Sequence, residues 1–296
     1  MRRIRNLSLF AIVLLLLIFF TGGTYLSYLH AVTLADPVRT TVPPPPESLS
    51  GLRDVVISTD DGLKLNGWYV PPPESSGPAV LYVHGIGGNR GQLVDVAAFL
   101  LGEGYGALLF DLRNSGDSEG ERTTMGLEEV RDVQAAFDFL VAQPEVDASR
   151  IVVYGHSMGG STAILAMPLL PDAQALIIET AYTSLYDVVS DGVRTISGLP
   201  PFPWAQITMG LANSIAATDM YDARPIDGVD DIAPRPILFL HGSADFTIPV
   251  AHSQALYEAA GEPRQIVIVE GAGHDNIYET APDVFEAALR DFLADL

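Results

Sequence analysis

The chain opens on an unbroken apolar run and then alternates short apolar segments with helical patterns. Leu9 to Phe20 reads Leu-Phe-Ala-Ile-Val-Leu-Leu-Leu-Leu-Ile-Phe-Phe, without a polar side chain. Thr21-Gly-Gly-Thr24 softens the run and Tyr25-Leu-Ser-Tyr-Leu29 resumes it. From Leu7 to Leu29 there is no charge, and the stretch reaches the roughly 20 residues that a membrane-crossing helix needs. Arg2, Arg3 and Arg5 precede it, and Tyr25 and Tyr28 stand where interfacial aromatics are expected. A buried soluble helix is the poorest reading, since such helices are seldom uncharged all round beside arginines. A cleaved secretory signal is the second, because Thr33-Leu-Ala35 resembles a small-x-Ala site. The span exceeds the roughly 7–15 residues of a signal's apolar region, so an uncleaved signal anchor over residues 1–35 is preferred. Both of the last two readings leave the arginines cytoplasmic and carry the main domain across the membrane.

Residues 36–51 hold Pro37 and Pro43-Pro-Pro-Pro46 and read as a polyproline spacer between the bilayer and a folded domain. Beyond it, Val55–Ser58 and Lys64–Tyr69 flank Asp60-Asp-Gly62, a hairpin signal. Short apolar runs recur at Ala79–Val83, Ala107–Phe110, Ile151–Tyr154, Ala175–Ile178, Ile237–Leu240 and Gln265–Val269, each read as a strand. Leu127, Val130, Val133, Phe137 and Leu140 recur at three and four and predict an amphipathic helix over 125–142, with Thr124 as its cap. Further helical patterns cover about 160–167, 251–260 and 282–294. The alternation predicts one α/β domain over 52–296, with a mostly parallel eight-stranded sheet covered by helices on both faces. Residues of about 185–235 break the alternation. Gly198-Leu-Pro-Pro-Phe-Pro-Trp204 precedes a helical stretch near Ala205–Ala217, and the segment reads as a small lid-like insertion over the strand ends.

Composition narrows the function. Lys+Arg total 16 against 37 Asp+Glu, a formal charge of −21, with a single lysine at Lys64. Nucleic acid is a poor partner for such a chain, because phosphate binding needs a basic face. With 0 cysteines, thiolate metal sites, cysteine nucleophiles and disulfides are excluded.

The sharpest chemical signal is Gly155-His-Ser-Met-Gly159, which follows the apolar run Ile151–Tyr154 and precedes the small-residue helical pattern Gly160–Met167. That is the strand–turn–helix setting a nucleophile elbow requires, with Ser157 raised at its apex. Glycines two residues before and after the serine remove side chains that would collide in so tight a turn. A serine hydroxyl needs a base. Of the 6 histidines, His30 lies beside the apolar span and His156 beside the serine. His84 and His241 end strands and read as packing residues, and His252 starts a helix. His274 lies in Glu270-Gly-Ala-Gly-His274, a glycine-bearing loop after a late strand, and is the expected base. Asp245, just after the strand Ile237–Leu240, is the expected orienter of the imidazole, in the chain order Ser157, Asp245, His274. Asp275 is adjacent to the histidine and ranks below it, and Asp60 and Asp61 read as hairpin residues. Oxyanion donors are expected from the backbone N–H of Met158 and from that of Ile86 in His84-Gly-Ile-Gly-Gly88. A phosphate loop is the rival reading of that glycine cluster, and it fails because no Lys-Ser/Thr follows.

Residues 52–296 resemble the α/β-hydrolase superfamily. The resemblance is carried by His84-Gly-Ile-Gly-Gly, Asp111-Leu-Arg-Asn-Ser-Gly-Asp-Ser118, Gly155-His-Ser-Met-Gly-Gly160, His241-Gly-Ser-Ala-Asp245 with Pro249, and Gly271-Ala-Gly-His274. The anchor with a minimal insertion is similar to a membrane-anchored subgroup related to serine aminopeptidases and acyl-ester hydrolases. One departure is Asn114, where related sequences often carry glycine after the arginine, and it bears on that turn's conformation. The resemblance implies that Asp111 and Arg113 shape the turn without doing chemistry. The expectation is a serine hydrolase acting on a carboxylic ester, small or lipid-like, through an acyl-enzyme, with no cofactor and no metal. Tyr182, Phe202 and Trp204 are expected to line the acyl cleft. A peptidase or acyltransferase with the same triad is the alternative within enzymes, and a non-catalytic membrane-tethered binding protein is the alternative outside them. Halide or epoxide chemistry is disfavoured, since those relatives place an aspartate at the elbow. The expected location is a single-pass membrane protein with its catalytic domain extracytoplasmic, or a secreted one if the segment is cleaved.

Overall fold

The computed structural model describes residues 2–296, with side chains from residue 9 onward, so the side chains of Arg2, Arg3 and Arg5 fall outside the described residues. The first element is helix α1 (Arg2–Ala35). Strands β1 (Arg53–Ser58), β2 (Lys64–Val70) and β3 (Gly77–Val83) follow, then α2 (Val94–Gly102), β4 (Gly106–Phe110) and α3 (Glu129–Val141). Next come β5 (Val146–His156), α4 (Met158–Ala166), β6 (Ala173–Glu179), α5 (Leu185–Ser197) and α6 (Pro201–Ala216). The chain closes with β7 (Ile237–Gly242), α7 (Ala251–Ala259), β8 (Arg264–Val269), α8 (Ile277–Thr280) and α9 (Pro282–Ala294).

Among the described residues the strands form one 8-stranded sheet in the order β1-β2-β4-β3-β5-β6-β7-β8. The β1/β2 and β2/β4 pairs are antiparallel and the rest parallel. Side chains alternate faces along each central strand. Leu81 and Val83 of β3 enter one core with α3, α4, α5, α6 and α7, whereas Val80 and Tyr82 enter the other with α2 and α9. The strand order reverses direction at β3, where β4 lies on one side and β5 on the other. This is the switch point at which open α/β sheets bind ligands.

Each predicted strand is present, and the differences lie in the helices. Residues 125–128 form a turn before α3, because the Glu129 carboxylate accepts hydrogen bonds from the backbone N–H of Thr124 and Gly126, at 2.8 Å each. The insertion holds two helices, α5 and α6, where one was expected. Ser184 caps α5 by accepting from Asp187 N–H at 3.1 Å, and Gly198 ends it in the left-handed conformation (φ 65°).

The proline-rich segment does not stand off as a spacer, because it is docked along the domain. Arg39 donates to the Asn114 Oδ1 at 3.2 Å and to the Ser118 carbonyl at 2.7 Å. Thr40 Oγ1 donates to the Gly87 carbonyl at 2.9 Å, and Asn89 donates to the Thr40 hydroxyl at 2.8 Å. Extended proline-rich backbone leaves its polar groups free for such partners. The same contacts account for Asn114. It sits at φ 55°, a left-handed conformation that asparagine tolerates better than most residues, and its side chain takes the Arg39 guanidinium. The neighbouring turn is tied by Asp111, whose Oδ2 accepts the Asp117 N–H at 2.9 Å, and by Arg113, paired with the buried Asp132 at 2.7 Å.

Asp132→Ala leaves the Arg113 guanidinium buried and short of its partner, so a loss of about 3 kcal/mol is expected. Denaturant unfolding of the two proteins in the same detergent measures it, and a change below about 1 kcal/mol would show that the pair does not hold the turn.

Candidate active site

β5 ends at His156 and α4 begins at Met158, which leaves Ser157 alone between strand and helix at φ 56° and ψ −121°. A serine in that conformation costs about 1–3 kcal/mol and survives only where its surroundings dictate it. A Cβ on Gly155 would come within 2.5 Å of the Gly159 carbonyl oxygen. A Cβ on Gly159 would overlap the backbone carbonyls of Val83 and His84. The helix therefore packs directly on the end of β3, which is the approach that both glycines permit. Gly85 completes the contact, since a Cβ there would lie 3.2 Å from Ser157 Cβ. The loop carrying Ile86 is thus pressed against the serine. Met158, as the first residue of α4, has an N–H that the helix itself does not use.

The loops after β7 and β8 are zipped together. Ser243 N–H donates to the Val269 carbonyl at 2.9 Å, Ala244 N–H to the Ala272 carbonyl at 2.9 Å, and Gly271 N–H to Ser243 Oγ at 2.9 Å. This seam sets Asp245 beside His274. His274 Nδ1–H donates to Asp245 Oδ2 at 2.7 Å, and Ser157 Oγ–H donates to His274 Nε2 at 2.9 Å. The other Asp245 oxygen accepts from Thr247 N–H at 2.8 Å and Ile248 N–H at 2.9 Å. Burial pushes the Asp245 carboxyl up, but hydrogen bonds from His241 and His274 outweigh it and hold the group well below the usual carboxylate range. It is a carboxylate built to stay charged opposite an imidazole.

Ser157, Met158 and Ile86 face one apolar cavity of about 230 Å³, which Tyr182 also lines. Tyr182 is pinned there by its hydroxyl, which donates to the Met125 carbonyl at 2.6 Å. Phe202 and Trp204 do not line the cavity, which corrects the expectation for both. Phe202 is 75% exposed at the start of α6, where the helical backbone is broken at that residue. Trp204 is fully buried against α1, edge-on to Phe19 at 5.6 Å and against Phe20 at 5.7 Å. Three other histidines are hydrogen-bonded away from the serine. His84 Nε2 accepts from Leu112 N–H at 3.0 Å, His241 lies 2.6 Å from Ser253 Oγ, and His252 lies 2.9 Å from Thr183 Oγ1.

A second cluster behind His274 was not legible in advance. The His156 ring lies 5.3 Å from that of His274, and its nitrogens face Glu179 at 3.7 Å and Asp275 at 3.3 Å. Tyr154 donates its hydroxyl to Glu179. The available signal was Glu179 itself, a charge closing the apolar run of a central strand. Burial lowers the affinity of His156 for a proton, but Glu179 and Asp275 outweigh burial and push its pKa up to about 9. His156, His274 and Asp275 place ligand atoms within 4.8 Å of one another. Both His274 nitrogens are already engaged by Asp245 and Ser157, so a metal there would have to displace one of them.

A family model described as "Alpha/beta hydrolase family" matches residues 80–288. The chain is 34% identical over 255 residues to the uncharacterized protein Rv2307c of Mycobacterium tuberculosis, covering 86% of this chain and 83% of that one. It is 31% identical over 224 residues to the alpha/beta hydrolase domain-containing protein WAV2 of Arabidopsis thaliana, covering 74% of this chain and 70% of that one. Among solved structures, the Pyrococcus furiosus esterase Pf2001 superposes with a TM-score of 0.74 at 25% identity, covering 88% of this chain and 97% of that one.

The raised His156 pKa carries a pH dependence. Folded near 9 and unfolded near the ordinary 6.5, the group contributes stability that is fully present below about pH 6.5 and lost as pH rises through about 9. The amount is on the order of 3 kcal/mol. Thermal unfolding from pH 6.5 to 10 should show this decline, and His156→Gln should flatten it. A wild-type profile that is already flat contradicts the His156–Glu179 pair as a charged one.

Proposed function

Because the chain belongs to the alpha/beta hydrolase family, we propose that it is a serine hydrolase cleaving carboxylic esters through Ser157, His274 and Asp245. The observation that carries this reading is the unbroken hydrogen-bond line from Ser157 Oγ through His274 to Asp245, opening on an apolar cavity. His274 Nε2 takes the hydroxyl proton as Ser157 Oγ attacks the carbonyl carbon. The carbonyl electron pair moves to its oxygen, which the N–H groups of Met158 and Ile86 receive. The carbon–oxygen bond to the leaving group then breaks, and the alcohol departs with the proton held by His274. A water deprotonated by His274 attacks the acyl-serine, and the acid leaves as Ser157 regains its proton. Asp245 keeps the imidazole in the tautomer that presents Nε2 to the serine and stabilises the cation formed in each half-reaction.

The cavity favours an ester over a free-amine peptide. No aspartate or glutamate lines it among the described residues, so nothing there would receive a substrate ammonium group. The esterase similarity points the same way. Residues Leu9–Ala35 form a helix long and apolar enough to cross a membrane. We read it as an uncleaved anchor that places the domain outside the cytoplasm.

The test is labelling of the full chain in detergent with a serine-directed fluorophosphonate, alongside p-nitrophenyl ester turnover. The wild type should label, Ser157→Ala should not, and Ser157→Ala or His274→Ala should lower kcat by roughly four to six orders of magnitude. Asp245→Asn should lower kcat about 10⁴-fold while the protein stays folded. A folded wild type that neither labels nor turns over any ester would refute the enzyme. Loss of turnover in His252→Ala with retention in His274→Ala would refute the assigned base.

A further inference from the structure

α1 is not only an apolar rod, because its second half is built into the domain. Gly23, Ser27, Ala31 and Ala35 recur at every fourth position and are its buried residues from 23 to 35. They form a strip of small side chains that lets α6 approach closely. Gly23 lies flat against the Trp204 ring, which a Cβ there would overlap, and Ser27 Oγ donates to the Trp204 carbonyl at 3.3 Å. At its far end the Ala35 carbonyl accepts from Thr123 N–H at 2.9 Å. Arg122 bridges the Ile215 carbonyl at 3.3 Å and Asp36 at 3.5 Å. α1 and α6 therefore run side by side in the same direction, with Trp204 at the end from which Leu9–Phe20 continue, exposed, beyond the domain. His30, Thr33 and Leu34 of α1 form part of the wall of the Ser157 cavity. Ile196, at the end of α5 nearest to the start of α6, lines the same cavity while being 72% exposed. One exposed edge of the cavity, at Ile196, thus lies at the end of the domain from which the apolar helix departs, where Phe202 also stands exposed, while Thr33 and Thr247 form exposed edges elsewhere.

We infer that the second half of α1 is a wall of the acyl-binding pocket, and that this pocket takes the acyl chain of an ester resident in the bilayer, entering past Ile196. The inference rests on the serine-hydrolase reading and on α1 remaining attached. An acyl chain moving from the hydrocarbon region into this cavity exchanges one apolar surrounding for another, without exposing each methylene to water on the way. Removal of residues 1–35 would leave Trp204 uncovered and the cavity without one side.

The experiment uses the full chain in phosphatidylcholine vesicles, with p-nitrophenyl acetate and p-nitrophenyl dodecanoate as substrates. Leu34→Trp narrows the cavity from the α1 side, and the dodecanoate-to-acetate ratio of kcat/KM should fall at least 10-fold. Leu34→Ala widens it and should move the preference towards longer chains, which keeps the test decisive if the tryptophan variant does not fold. Ile196→Glu places a charge at that edge of the cavity and should lower the same ratio at least 10-fold. Fluorophosphonate labelling reports in parallel whether Ser157 is competent. Unchanged ratios in labelled Leu34 and Ile196 variants would overturn the inference. So would recovery of a labelled, active chain beginning after Ala35 with unaltered chain-length preference. A wild type that does not label and does not hydrolyse even the acetate is a different result, since it removes the hydrolase reading itself.

Discussion

The structure depends on a backbone contact with no side chain in it. α4 starts so close to the end of β3 that the carbonyls of Val83 and His84 occupy the space where a Cβ on Gly159 would lie. That closeness holds Ser157 at φ 56° and turns its hydroxyl out of the sheet. It also brings the Gly85–Gly88 loop against the serine, so the proposed nucleophile and the proposed oxyanion donor are set by one packing event. A side chain at Gly155 or Gly159 would separate helix from strand, relax the serine and move both groups together.

Around that turn the electrostatics are arranged in two layers. In front, Asp245 is held charged by four donors and faces His274. Behind, His156 and Glu179 form a second buried pair, with the His156 ring 5.3 Å from that of His274. Two buried groups of opposite charge hold each other in place, joining the ends of β5 and β6, and His156 also meets Asp275 in the loop that carries His274. The loop's position is therefore supported from both sides, by the β7 seam and by the Asp275–His156 contact.

The apolar N-terminal helix and the insertion make one further unit. A strip of small residues on α1 receives α6 and its buried tryptophan, while the opposite face of α1, with Tyr25, Tyr28 and Leu29, stays exposed. One helix thus carries two surfaces of different purpose, an all-round apolar half and a half that is apolar outside and closely packed inside. The docked segment from Arg39 to Pro43 continues this attachment along the Gly87–Gly91 loop, so the route from α1 to the loop beside Ser157 is short and hydrogen-bonded.

Periodicity and local chemistry in the chain were enough for the strand set, the tight turn at Ser157, and Asp245 and His274 as the residues that meet it. Each is a short-range pattern: apolar runs of strand length, glycines spaced about a serine, a carboxylate and an imidazole just past strand ends. The Asp245–His274–Ser157 distances, the docking of the proline-rich segment and the surroundings of Trp204 were not legible, because they are contacts between segments far apart in the chain. Phe202 and Trp204 show the difference well. Both are aromatic and near the insertion, and their composition suits an acyl cleft. Only the direction in which α6 turns its faces decided that one meets solvent and the other meets α1. Likewise Gly23, Ser27, Ala31 and Ala35 look like minor interruptions of an apolar stretch until a partner helix lies on them. Local sequence carries the period and the chemistry of each segment. Which face meets which neighbour is a property of the packed whole, set by close packing and by hydrogen bonds across long separations.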